Sequence, residues 1–126
     1  VTTFTLKYDE VRTAMLELAA ERPDFNYHES DDFKQVQHCV YVNPKTKAPS
    51  CLVAAVVDRV HGPEALALLA DAEDVHPDSF GVGGQGWPRE LEIPEGRTAG
   101  LLSVGQDLQD QGYTWGYAVA EATRDY

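Results

Sequence analysis

"SCLVAAVVDRVHG", residues 50–62, decides the fold: read as a helix it makes the chain mainly α, and read as a strand it puts a sheet at the centre. Val53, Val56, Val57 and Val60 are β-branched and poor intrinsic helix formers, which speaks for a strand. Length and punctuation speak for a helix. Leu52, Val53, Val56, Val57 and Val60 make one broad apolar face, Ser50 is a good N-cap, and His61-Gly62 is a C-terminal stop. A helix from Ser50 to about Val60 is therefore expected.

The flanks extend this reading. Upstream, Val36 to Val42 alternates Val36, His38, Val40 and Val42 with Gln37, Cys39 and Tyr41, the pattern of a strand. "NPKTKAP" then supplies a turn. Downstream, Pro63 suits a first helical position, and Ala65, Leu66, Leu68, Leu69 and Ala72 continue a second helix. Near the start, Val11, Ala14, Met15, Leu18 and Ala19 form a helical stripe from Tyr8 to Arg22, with Thr2–Leu6 as an extended lead-in. "DFNYHESDDF" reads as a loop pinned by Phe25, Tyr27 and Phe33. Residues 73–95, rich in Gly and Pro, form the longest irregular stretch, with a brief strand in "RELEI". Thr98 is expected to cap a helix bearing Leu101, Leu102, Val104 and Leu108, ended by Gly112. Thr114 caps a last helix with Trp115, Ala118, Val119 and Ala122. The expected fold is mainly α (α+β): four to five helices with a small strand pair in one globular domain, 1–126, with Met15, Leu18, Val53, Val57, Leu66, Leu69, Leu101, Leu102, Leu108 and Trp115 in its core.

Composition narrows the function classes. Ten Lys and Arg against 21 Asp and Glu give a net charge of −11. That argues against direct nucleic-acid binding, which needs clustered cations for the phosphates. It leaves an ordinary acidic surface or an acidic nucleic-acid mimic, and the scatter of the acids in short clusters weakens the mimic. No run approaches the roughly 18 apolar residues of a membrane span. "VTTFTLKYDE" lacks a basic start followed by an apolar block, so a cytoplasmic protein with reduced thiols is expected.

Four constellations bear on chemistry. "GVGGQG", 81–86, matches G-x-G-x-x-G, but polar residues precede it and Trp87-Pro88 follows, so no helix opens where a dinucleotide would need one. His38, Cys39, Cys51 and His61 are zinc-ligand types, yet His38 and Cys39 would point to opposite strand faces, and Cys51 and His61 lie roughly 15 Å apart along one helix. No metal or cofactor is expected. Cys51 alone, as the first helical residue, would have its pKa lowered by the helix dipole, with His38 as a candidate base. That makes a cysteine-dependent enzyme the rival to a non-enzymatic reading. A partner-binding surface is the other possibility, with Trp87, Phe80, Tyr113 and Tyr117 as candidates and Trp115 assigned to the core.

"HCVYVNPKTKAPSCLVAAVV", with "HG" after it and "LLSVGQDLQDQGYTWGYAVAEA" later, resembles small uncharacterised proteins of actinobacteria and actinobacteriophages. These pair a C-x-Y…P-x-C-L-V segment with a late Q-D-x-G-x-T-W-G-x-A helix hairpin. The matching parts cover about half of the chain, which has Ala54 where the pattern has Gly. The resemblance implies a bacterial or phage setting and carries over no activity and no catalytic residue. Together these observations lead to the expectation of a small accessory protein that binds a protein partner, possessing no catalytic set.

Overall fold

In the computed structural model Phe4–Thr5 form strand β1, Tyr8–Glu21 helix α1, Asp31–Val36 helix α2, Leu52–His61 helix α3 and Pro63–Val75 helix α4. Leu91–Glu92 form strand β2, Gly96–Asp110 helix α5 and Trp115–Asp125 helix α6. The structure describes residues 3–36, 40–75, 81–82, 84 and 86–126. The fold is mainly α with one small strand pair: β1 runs parallel to β2, with Phe4 opposite Leu91 and Thr5 opposite Glu92.

The valine-rich stretch is a helix because its apolar face is wanted on three sides. Leu52, Val53, Ala54, Val56 and Val57 are all buried, and α3 packs against α1, α4 and α5. Burial of this kind outweighs the modest helix penalty of β-branched residues, which is at most about 0.7 kcal/mol each. Gly62 takes φ +85° and lets the chain turn directly into α4 at Pro63. α5 and α6 form a hairpin that closes on α1 and α3. Nine of the ten expected core residues are buried, Leu6, Val11, Leu91 and Val119 join them, and Leu108 is only half-buried.

Leu108 misses because α5 turns a different stripe inward. Its buried positions are Thr98, Leu101, Leu102, Gly105, Gln106 and Gln109, which follow the i, i+3, i+4 rule but include two glutamines. Thr98 is also not the cap; Glu95 holds that place and Thr98 is buried in the first turn.

Three other expectations change. Val36 ends α2 and is not part of a strand; Val42 pairs only with Pro49, in an isolated bridge. His38 and Cys39, expected as strand neighbours, lie outside the described residues, as does Phe80. The supposed loop 24–33 holds a 3-10 turn, Tyr27–Glu29, and the start of α2. Ser30 Oγ accepts the Phe33 N–H at 3.2 Å, and two acids follow it, as at an ordinary helix start. Residues 73–75, expected to be irregular, extend α4, because the Glu73 carboxylate accepts the backbone N–H groups of Tyr41 (2.7 Å) and Val42 (3.2 Å) and ties the helix to the segment before the 43–48 turn. No helix among the described residues is long and apolar enough to cross a membrane.

Candidate functional site

Cys51 sits at the corner its sequence suggested but one position earlier, as the N-cap of α3, without a side-chain capping hydrogen bond. Ser50, the expected cap, instead directs its hydroxyl to Tyr27 Oη at 3.3 Å. Cys51 is a free thiol with 0% of its surface exposed. Burial, the largest effect, pushes its pKa well above the usual thiol range; the negative charges of Asp110 and Glu73 add to the rise, and hydrogen bonds from the α3 backbone oppose it. Burial therefore works against the expected dipole activation, since desolvation disfavours the thiolate that the helix terminus would favour. His61 is likewise structural: its Nε2 donates to the Thr5 carbonyl at 2.7 Å, and its ring lies 5.3 Å from that of Phe4. Among the described residues no three His, Cys, Asp or Glu side chains converge as a metal site.

The N-terminus of α3 is also occupied from outside. Gln109 Oε1 accepts the Leu52 N–H at 2.8 Å, and Gln106 Oε1 accepts the Val53 N–H at 3.2 Å. Gln109 Oε1 takes the Trp115 Nε1–H as well, at 3.0 Å. Both amide NH₂ groups donate to Asp110 Oδ1, at 3.1 and 3.0 Å. The C-L-V and Q-D-L-Q-D…T-W segments thus meet in one buried hydrogen-bonded network. Its donors and acceptors satisfy one another, so it fixes the packing of α3, α5 and α6.

The surface candidates divide. Trp87 is half-buried against the core, and its Nε1 donates to the Leu91 carbonyl at 2.7 Å, so it anchors β2. Tyr113 and Tyr117 are 44% and 47% exposed, and their rings stack at 4.7 Å with 28° between planes.

Their frame is rigid. Thr114 Oγ1 accepts the Tyr117 N–H at 3.2 Å. The next two free N–H groups of the helix start, Trp115 and Gly116, donate to the carbonyls of Phe25 (2.9 Å) and Pro23 (3.0 Å). Asn26 bridges Thr114 and donates from Nδ2 to the Gly112 carbonyl at 2.7 Å. Gly112 has φ +99°, which a side chain would strain, and that geometry lets the chain reverse between the helices.

A second stacked pair, absent from the sequence-based candidates, borders the same corner. His28 and Phe33 stack at 4.6 Å with 6° between planes. The His28 ring lies alongside Gly112, where a Cβ would stand 3.6 Å from Nδ1. Its Nε2 donates to the Asp110 carbonyl at 2.6 Å. Two aromatic pairs thus adjoin one turn, on a backbone pinned by three hydrogen bonds between the 23–26 segment and residues 112–116. Such a surface presents rings held on a hydrogen-bonded backbone.

Comparison with known proteins gives no match to this chain among family models, curated proteins or solved structures.

Proposed function

We propose that this protein acts by binding another protein, as an accessory factor of bacterial or phage origin working in the cytoplasm, and that the α5–α6 corner is its contact surface. The observation that carries the reading is the exposed Tyr113–Tyr117 stack on its pinned backbone. Tyrosines are enriched at binding hot spots, and a pair that is already stacked loses little rotamer freedom on docking. The acidic balance supports a protein partner over a nucleic acid. The rival, thiol catalysis through Cys51, has little support from a fully buried group with a raised pKa.

The test is affinity capture from an actinobacterial lysate with the wild type and with the double variant Tyr113→Ala, Tyr117→Ala. Both side chains are surface groups, so the melting temperature should hold while the captured protein is lost. Retention of the same protein by the double variant would overturn the assignment of the corner.

A further inference from the structure

We infer that the occupant of this corner is a basic, arginine-bearing segment of the partner protein, an inference that rests on the protein-binding reading above. Three observations lead to it. First, the two stretches that build the corner are mainly acidic: residues 23–33 carry four carboxylates and residues 107–121 carry three, against two cations, Arg22 and Lys34, at the edges of the first stretch. Asp24, Glu29 and Asp107 are exposed among them. A cation arriving here gains from the field and an anion is repelled.

Second, the stacked rings remain 44% and 47% exposed, and a guanidinium is the cation that suits exposed aromatic surface. It is planar, weakly hydrated and able to stack, whereas an ammonium is a compact and strongly hydrated point charge. Third, the chain itself uses this contact beside the corner. The Arg22 guanidinium carbon lies 3.9 Å from the Phe25 ring centroid and 5.1 Å from that of Trp115. The chain uses it again at the far end of α5, where Arg97 lies 3.8 Å over Tyr8. Arg22 is thereby engaged with rings under the corner, and Arg124, farther along α6, is paired with Glu121 and Asp125.

The experiment compares two synthetic fluorescein-labelled peptides, four Gly-Arg repeats and four Gly-Lys repeats, by fluorescence anisotropy on the whole chain. Charge alone treats the two alike, so the ratio of affinities isolates the stacking. The wild type should bind the arginine peptide about fivefold more tightly, as one or two partly solvated cation–π contacts would give. The ratio should fall to about one in Tyr113→Ala, Tyr117→Ala and persist in Tyr113→Phe, Tyr117→Phe, which keeps the rings. Added salt should weaken both peptides and leave the ratio standing. Equal affinities on the wild type, or a preference that survives the alanine variant, would overturn the inference. If the alanine variant loses its captured protein while the two peptides bind the wild type alike, the protein-binding reading stands and the arginine assignment falls. If that variant keeps its captured protein and the peptides do not discriminate, both fall.

Discussion

Gln109 accepts the backbone N–H of Leu52, 57 residues earlier in the chain, at 2.8 Å. The first turn of a helix leaves its N–H groups without partners, and the usual remedy is a side chain from the residue just before it. Cys51 cannot supply a carbonyl or carboxylate oxygen there. α5 does so in its place, with Gln109 on Leu52 and Gln106 on Val53. The start of α3 is therefore correct only when α5 is docked. This ties a local structural choice, helix or strand at residues 50–62, to tertiary packing.

Replacing Gln109 with Leu keeps volume but orphans two buried donors, the Leu52 N–H and the Trp115 Nε1–H. Each costs roughly 1–3 kcal/mol when left unpaired. Gln106→Leu orphans one, the Val53 N–H. Urea melts should therefore rank wild type above Gln106→Leu above Gln109→Leu. A Gln109→Leu midpoint at or above the wild-type value would remove the network as a determinant of the fold.

Two glycines test how closely the helices approach. A Cβ on Gly116 would stand 2.8 Å from the Pro23 carbonyl oxygen, which is backbone held by the Gly116 N–H itself. A Cβ on Gly105 would meet Leu52 Cδ2 and Met15 Cε, each at 2.9 Å, both flexible side-chain ends. Gly116→Ala should cost about 1–3 kcal/mol through forced backbone movement. Gly105→Ala should stay within about 1 kcal/mol of wild type, since Ala is the better helix former by a similar amount. The order reversed in thermal melts would mean that α6 and the 23–26 segment can part freely.

Much of this fold was legible where hydrophobic spacing coincides with burial. Met15 and Leu18 on α1, and Trp115, Ala118, Val119 and Ala122 on α6, carry a period that only a helix satisfies. The inward stripe of α5 was not, because Gln106 and Gln109 look like surface residues until their partners 53 and 57 positions away are known. The short α2 was legible in part: Ser30 followed by Asp31 and Asp32 is a helix start, overshadowed by polar residues that also suit a loop. Of the site, Tyr113 and Tyr117 were readable as exposed aromatics. The pairing of His28 with Phe33 beside Gly112 depends on a turn geometry that spacing does not encode.

The ion pair between α1 and α3 gives a pH dependence of definite sign. Arg59 donates to both Glu21 carboxylate oxygens at 2.6 Å, and this hydrogen bonding lowers the Glu21 pKa below its ordinary value of 4.5. A carboxyl whose folded pKa is depressed stabilises the fold above its unfolded value and loses that contribution as pH falls through the folded one. Glu21→Gln should accordingly lower the urea midpoint near neutrality, only slightly because the pair is solvent-exposed, and the two proteins should converge as pH falls below about 4.5. An equal change at pH 7 and pH 4 would point to lost packing of the side chain.

Cys51 separates the binding reading from thiol chemistry. Its sulfur has no exposed surface, and burial holds the neutral form far above its usual range. The sign of the linkage follows: an acid whose folded pKa is raised stabilises the fold fully below the unfolded value and loses that contribution as pH climbs past about 9, where the unfolded thiol ionises. A thiol reagent applied to the native protein near pH 7.5 should leave Cys51 unmodified over the time in which an unfolded control reacts completely, as peptide mapping would show. Labelling should track urea and not reagent concentration, since the reagent reaches the sulfur only through opening of the fold. Cys51→Ala should keep both the fold and the captured partner, with a stability loss of about 1–2 kcal/mol for the sulfur it removes from the corner. Rapid native labelling of Cys51, together with loss of biological effect in a folded Cys51→Ala variant, would reverse the ranking and make the cysteine the working group of the protein.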